Sequence, residues 1–247
     1  MEAPARRQVV VWDLPTRLFH WVLVLLVALD LFAVEPEGGS STVLHFLFGY
    51  AIAGLLVFRL LWGFIGSRRS RFADFVRPWS RVRGYVERLL RLDPPDSIGH
   101  NPLGGWMILA LLGILLLMIA TGLLAANRRA AGPFAHILGA GGAGLMGELH
   151  SLLSSLLVAL AILHIAGVFA GWLLTGKNLI LSMLNGRKSL SEAEAAVEPP
   201  PAPNWRAVVA VGLAILFAGW LALTTDYTRT RATLASSIGQ STQAGGQ

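Results

Sequence analysis

The chain of 247 residues contains no cysteine. That excludes disulfides, thiolate-bound iron–sulfur clusters and the C-x-x-C-H attachment of a covalent haem, so any redox centre must be held by other side chains. Charge is also scarce: Asp, Glu, Lys and Arg make up 14% of the residues, against 54% hydrophobic ones, and the mean hydropathy is +0.61. One soluble core does not need that much apolar surface, so the composition reads as an integral membrane protein. The alternation of a membrane barrel is missing as well. The apolar segments are continuous Leu, Val, Ala and Ile blocks, which in lipid must satisfy their backbone groups as helices.

A spanning helix needs roughly 20 apolar residues for a hydrocarbon core about 30 Å thick. Five runs approach or meet that, at approximately 18–34, 43–65, 103–126, 146–174 and 206–225. The expected fold class is an all-α membrane protein: a four-helix transmembrane bundle over residues 1–188, and a fifth transmembrane helix over 205–226. A flexible Pro- and Ala-rich linker at 189–204 separates the two, and a disordered periplasmic tail covers 227–247. The segment Met1 to Gln8 is short and basic, with no small-residue cleavage site before Glu35, so the first run is expected to be a retained helix rather than a removed signal.

Lys and Arg set the orientation. Arg6, Arg7 and Arg17, eight arginines between Arg68 and Arg91, and Lys177, Arg187, Lys188 and Arg206 fall on one side. Arg128, Arg129, Arg229 and Arg231 fall on the other. Fifteen against four places the N-terminus in the cytoplasm and the C-terminus in the periplasm of a bacterial inner membrane. The net charge of +6 is therefore read as topology and contact with anionic lipid rather than nucleic-acid binding. Residues 71–92 interleave arginines with Phe72, Phe75, Trp79 and Tyr85 and suit an amphipathic segment at the inner interface. Asn101-Pro102 has the form of a helix start.

Four of six histidines lie in the apolar runs, where ionisable groups are costly and usually functional. His150 and His164 are 14 residues apart, hence about 40° out of register and about 21 Å apart on one helix face. His20 lies eight residues after Trp12, and His164 eight before Trp172. If both tryptophans mark the inner interface, the two histidines share a depth. His45 and His150, near the outer starts of their helices, match in the same way. The expectation is one site from His45 and His150 and another from His20 and His164. Two imidazoles per site suit six-coordinate haem iron in a helical bundle, whereas zinc would ask for a third protein ligand. Gly49, Gly54, Gly147 and Gly167 lie near these histidines and suit either haem clearance or plain helix packing. Arg59, 14 residues after His45, suits either a haem propionate or snorkelling to the inner surface, and Arg17 is a looser candidate for the same role. Asp30 reads as an interfacial acid or, less readily, as a proton-handling group. His136 reads as a surface residue, and His100 as a loop residue that could assist a quinone.

The opening VWDLPTRLFHW (Val11 to Trp21) resembles the first helix of the prokaryotic cytochrome b561 and nickel-iron hydrogenase b-type cytochrome family. The resemblance continues in HFLFGY (His45 to Tyr50), GHNPLGG (Gly99 to Gly105), the His150/His164 pair, Gly176-Lys177-Asn178 and Gly186-Arg187-Lys188. It implies two haem b groups on His20, His45, His150 and His164. It also implies electron exchange between a membrane quinone pool and a partner at the periplasmic face, such as a c-type cytochrome or a hydrogenase. A stand-alone superoxide:ubiquinone oxidoreductase is the alternative, and a non-redox metal or proton transporter a third. The fifth helix and tail depart from the smallest members of the family.

Overall fold

The structure, a computed structural model, describes residues 6–33, 40–126 and 130–225. Among the described residues, five helices are long and apolar enough to cross a membrane: α1 (Leu14–Ala33), α2 (Ser40–Ile65), α5 (Pro102–Leu124), α6 (Gly139–Thr175) and α9 (Asn204–Thr224). All five expected runs are present, and the all-α membrane class holds. The expected tail at 227–247 and the cations Arg128 and Arg129 lie outside the described residues.

Boundaries move where local chemistry dictates. Asn101 caps α5, its Oδ1 accepting the Gly104 N–H at 2.6 Å, with Pro102 in the first helical position. Helix α6 begins at Gly139, earlier than the apolar run suggested, because the Gly/Ala stretch before Leu145 stays helical. Its outward side chains, including Leu152, Leu156, Leu163 and Leu173, are exposed, as lipid contact requires. The amphipathic segment is two helices, α3 (Phe72–Phe75) and α4 (Trp79–Leu90), interrupted at Pro78, whose ring cannot continue a helix. Phe75, Val82 and Tyr85 are buried.

Two departures from expectation lie at the chain's polar end. Strand β1 (Arg6–Val10) pairs antiparallel with β2 (Arg187–Ser191), running from Arg6 opposite Ser191 to Val10 opposite Arg187. The segment expected to be a flexible linker is structured. After β2, Ser191 and Glu194 form a capping box that starts α8 (Glu192–Ala196). Glu198 then accepts two hydrogen bonds from the Arg69 guanidinium, at 2.8 and 2.5 Å, and the Ala202 N–H donates to Ser67 Oγ at 2.9 Å. The linker composition hid these long-range partners.

The chain divides into two compact units. One comprises Met1–Trp21, Phe58–Gly113 and Val158–Val211; the other comprises Val22–Val57, Ile114–Leu157 and Gly212–Gln247. In the first, Val11, Trp12 and Leu190 form a core cluster, and Asp13 organises the surrounding polar groups. Asp13 Oδ1 accepts the Thr16 N–H at 2.8 Å and so caps α1, while Oδ2 accepts from Trp62 Nε1 and Ser70 Oγ, each at 3.1 Å. In the second unit, Tyr50, Ala53 and Leu221 form the core, and Tyr50 Oη lies 2.5 Å from Thr225 Oγ1. There Gly54 meets the fifth apolar helix: a Cβ at this position would lie 2.8 Å from the Ala214 carbonyl oxygen. Gly54 therefore serves helix packing.

Candidate metal centres

In the second unit, α2 and α6 bring His45 and His150 together, with ring centroids 5.9 Å apart and planes at 82°. Each ring is oriented through Nδ1. His45 Nδ1 is 2.8 Å from Asp30 Oδ1 on α1, and His150 Nδ1 is 2.9 Å from the Met118 carbonyl on α5, with Thr121 Oγ1 at 3.3 Å. Carbonyl and carboxylate partners on Nδ1 hold that nitrogen as the donor and leave Nε2 as the lone-pair nitrogen. Two such lone-pair nitrogens on neighbouring helices are the donor set that a haem iron would take.

Space beside the pair is provided by residues the sequence reading passed over. A Cβ on Gly122 would lie 3.1 Å from His150 Cε1, so glycine there lets the ring lie against α5. Asp30, read as an interfacial acid, is instead the hydrogen-bond partner of His45. Gly49, four residues after His45, faces open space, and so does Gly167, three after His164.

In the first unit, His20 on α1 and His164 on α6 lie within electrostatic reach of each other. The His20 ring packs edge-on against Trp21 at 4.9 Å, and its buried Nδ1 has no partner among the described residues. Trp12, taken as an interface marker, is instead buried in the core. All four histidines are only partly covered by protein, which leaves room for a group beside them.

Arg59 does not snorkel. It is 4% exposed, its guanidinium stacks over Phe72 and Phe75 at 5.1 and 5.6 Å, and Nη1 has no partner among the described residues. Arg17 Nη1 donates to the Leu184 carbonyl at 2.5 Å, while its buried Nε is unpartnered among the described residues. Buried cationic donors without acceptors are expensive, and a carboxylate-bearing ligand is the natural complement. His100 is wedged between Trp12 and Phe75, at ring distances of 4.5 and 5.0 Å, and Lys188 Nζ lies 5.7 Å from the centre of the Trp12 ring. Burial, reinforced by the Arg59 and Lys188 charges, pushes His100 down to about 3. His136 is exposed, as expected.

The class defined by this fold and these sites is a multi-pass helical membrane protein with paired imidazoles in its apolar spans. The chain belongs to the prokaryotic cytochrome b561 family, whose model matches residues 11–186. It is accordingly a membrane b-type cytochrome, a haem b protein of electron transport. The chain is similar to the probable Ni/Fe-hydrogenase 1 B-type cytochrome subunit of Escherichia coli K12, with 28% identity over 45% of this chain and 57% of that one. It is also similar to the probable Ni/Fe-hydrogenase B-type cytochrome subunits of Rhodobacter capsulatus and Azotobacter vinelandii. The former is 25% identical over 76% of this chain and 84% of the relative; the latter is 31% identical over 39% and 50%. The match thus spans little more than half the length of the Escherichia coli relative. No solved structure matches the chain.

Proposed function

We propose that the chain carries electrons across a bacterial inner membrane by holding two b haems, one between His45 and His150 and one between His20 and His164. It exchanges them with a periplasmic redox partner on one side and the membrane quinone pool on the other. The observation that carries this reading is the His45/His150 pair: two imidazoles side by side in the apolar spans, each oriented through Nδ1. Bound haem supplies a centre that gains and loses one electron at a time. The chain's residues provide the ligands, fix the tautomers of His45 and His150 and surround the sites with apolar helices that exclude water. Arg59 and Arg17, with buried unpartnered donors, suit haem propionates. The names of the relatives make a hydrogenase the first candidate for the partner. The excess of Lys and Arg in the loops flanking α1, α4 and α7 (Leu179–Asn185) supports a cytoplasmic N-terminus.

Haem content of single variants tests the proposal. The purified chain is expected to hold two b haems, His45→Ala and His150→Ala to lose the same one, and His20→Ala and His164→Ala to lose the other. A chain without haem, or a His20→Ala protein whose remaining centre matches that of His150→Ala, would refute it.

A further inference from the structure

The partners of the histidine rings are unequal. His150 donates to a neutral carbonyl, that of Met118, whereas His45 faces a carboxylate, Asp30, at 2.8 Å. Both members of that contact are largely covered, the side chains being 32% and 17% exposed, so water screens the charge weakly. The surroundings of His20 differ. His20 Nδ1 has no acceptor among the described residues, and Arg17 on the same helix and Arg59 in the same unit each keep a buried donor unpartnered. Asp13, within electrostatic reach of Arg59, has both oxygens engaged by Thr16, Trp62 and Ser70.

A carboxylate behind a ligating imidazole raises the ligand's basicity and adds a negative charge, and both effects favour the oxidised, more positive metal. Buried cations do the reverse. We propose that Asp30 is a positioning residue that orients His45 and holds the potential of the His45/His150 centre below that of the His20/His164 centre. This inference rests on the two-haem reading above. The placement of charge makes the reduced state more stable at the His20/His164 end, which gives the chain a direction that neither its helices nor its histidine spacing supplies. Asp30 is recruited from a third helix, so the fold has brought a carboxylate to this ring where a carbonyl serves His150.

Redox titration of the holoprotein in detergent, followed by haem absorption, tests the inference. Asp30→Asn removes the charge at nearly constant shape. The expected result is two haems per chain with the lower midpoint potential shifted upward, the higher one unmoved, and the wild-type value largely restored in Asp30→Glu. Two haems with both potentials unmoved in Asp30→Asn would overturn the role of Asp30, as would a shift confined to the higher-potential centre. A wild-type preparation with fewer than two haems would instead overturn the two-haem reading. If Asp30→Asn does not retain haem, redox-difference infrared spectroscopy of the wild-type chain decides. A carboxylate band that shifts with reduction of the low-potential centre is expected, and its absence refutes the proposal.

Discussion

Trp62, near the end of α2, donates its indole N–H to Oδ2 of Asp13, the residue that caps α1, over 3.1 Å. The same carboxylate serves Thr16 and Ser70, so three buried donors meet on one side chain. Asp13→Ala strands the Thr16 and Trp62 N–H groups, at a cost on the order of 3 kcal/mol, while Ser70 Oγ keeps Thr16 Oγ1 at 2.6 Å. A lowered thermal midpoint is the expected outcome, with Trp62→Phe, which removes one donor cleanly, costing less.

The Arg69–Glu198 pair ties the start of the segment between α8 and α9 to the turn after α2, and the Glu198 side chain is only 4% exposed. Removing one partner of a largely buried pair leaves the other charge uncompensated, typically costing about 3–5 kcal/mol. Because Arg69 retains Asp74, the lower end of that range applies to Glu198→Ala. Limited proteolysis should cut between residues 192 and 203 faster in Glu198→Ala than in the parent chain. Equal rates would show that the contact does not hold the segment.

Gly122 gives His150 its place against α5. Its replacement by Ala puts a methyl group 3.1 Å from Cε1, and Val adds bulk the ring cannot avoid. Haem content should fall in the order Gly, Ala, Val, with loss confined to the centre that His150→Ala also removes.

Acidification acts on His100. Folded, it takes a proton only near pH 3; unfolded, near 6.5. The unfolded chain therefore binds more protons between those values, and stability falls as pH drops through that window. His100→Phe, which preserves the aromatic wedge, should flatten the acid limb of the thermal midpoint against pH between 4 and 6.5. An unchanged slope would assign the acid sensitivity to other groups.

Gly186 ends α7 at φ +79°, and its carbonyl accepts from the N–H groups of Val11 and Trp12 at 2.8 and 3.0 Å. A Cβ there would lie 2.6 Å from the Trp12 oxygen. Gly186→Ala carries both the left-handed penalty and this collision, so a loss of more than about 1 kcal/mol is expected, read as a lowered thermal midpoint.

The five membrane helices were legible because lipid demands one simple pattern, and the contact of His45 with His150 because repeated ionisable residues stand out in it. Arg59 was found for its register with His45, but whether its charge stays inside depends on Phe72 and Phe75, which no spacing on α2 reveals. Asp30 and Gly122 escaped for a similar reason: each acts on a ring carried by a different helix. The opening motif was recognisable as a string, yet its physical content, an aspartate joining a helix cap to Trp62 and Ser70, needs residues roughly fifty positions away. Between residues 189 and 204 composition pointed to slack chain, and partners at Arg69, Ser67 and β1 overrode it.

The pairing of β1 with β2 imposes an order on synthesis. Arg6 finds its counterpart only at Ser191, after four of the membrane helices have been made. Until the ribosome has passed that point, the first strand has no edge to join. Closure of this clasp therefore marks the moment when the four membrane helices between its ends are all present, and a chain truncated before Gly186 would leave the Val11-to-Trp21 motif without its backbone anchor.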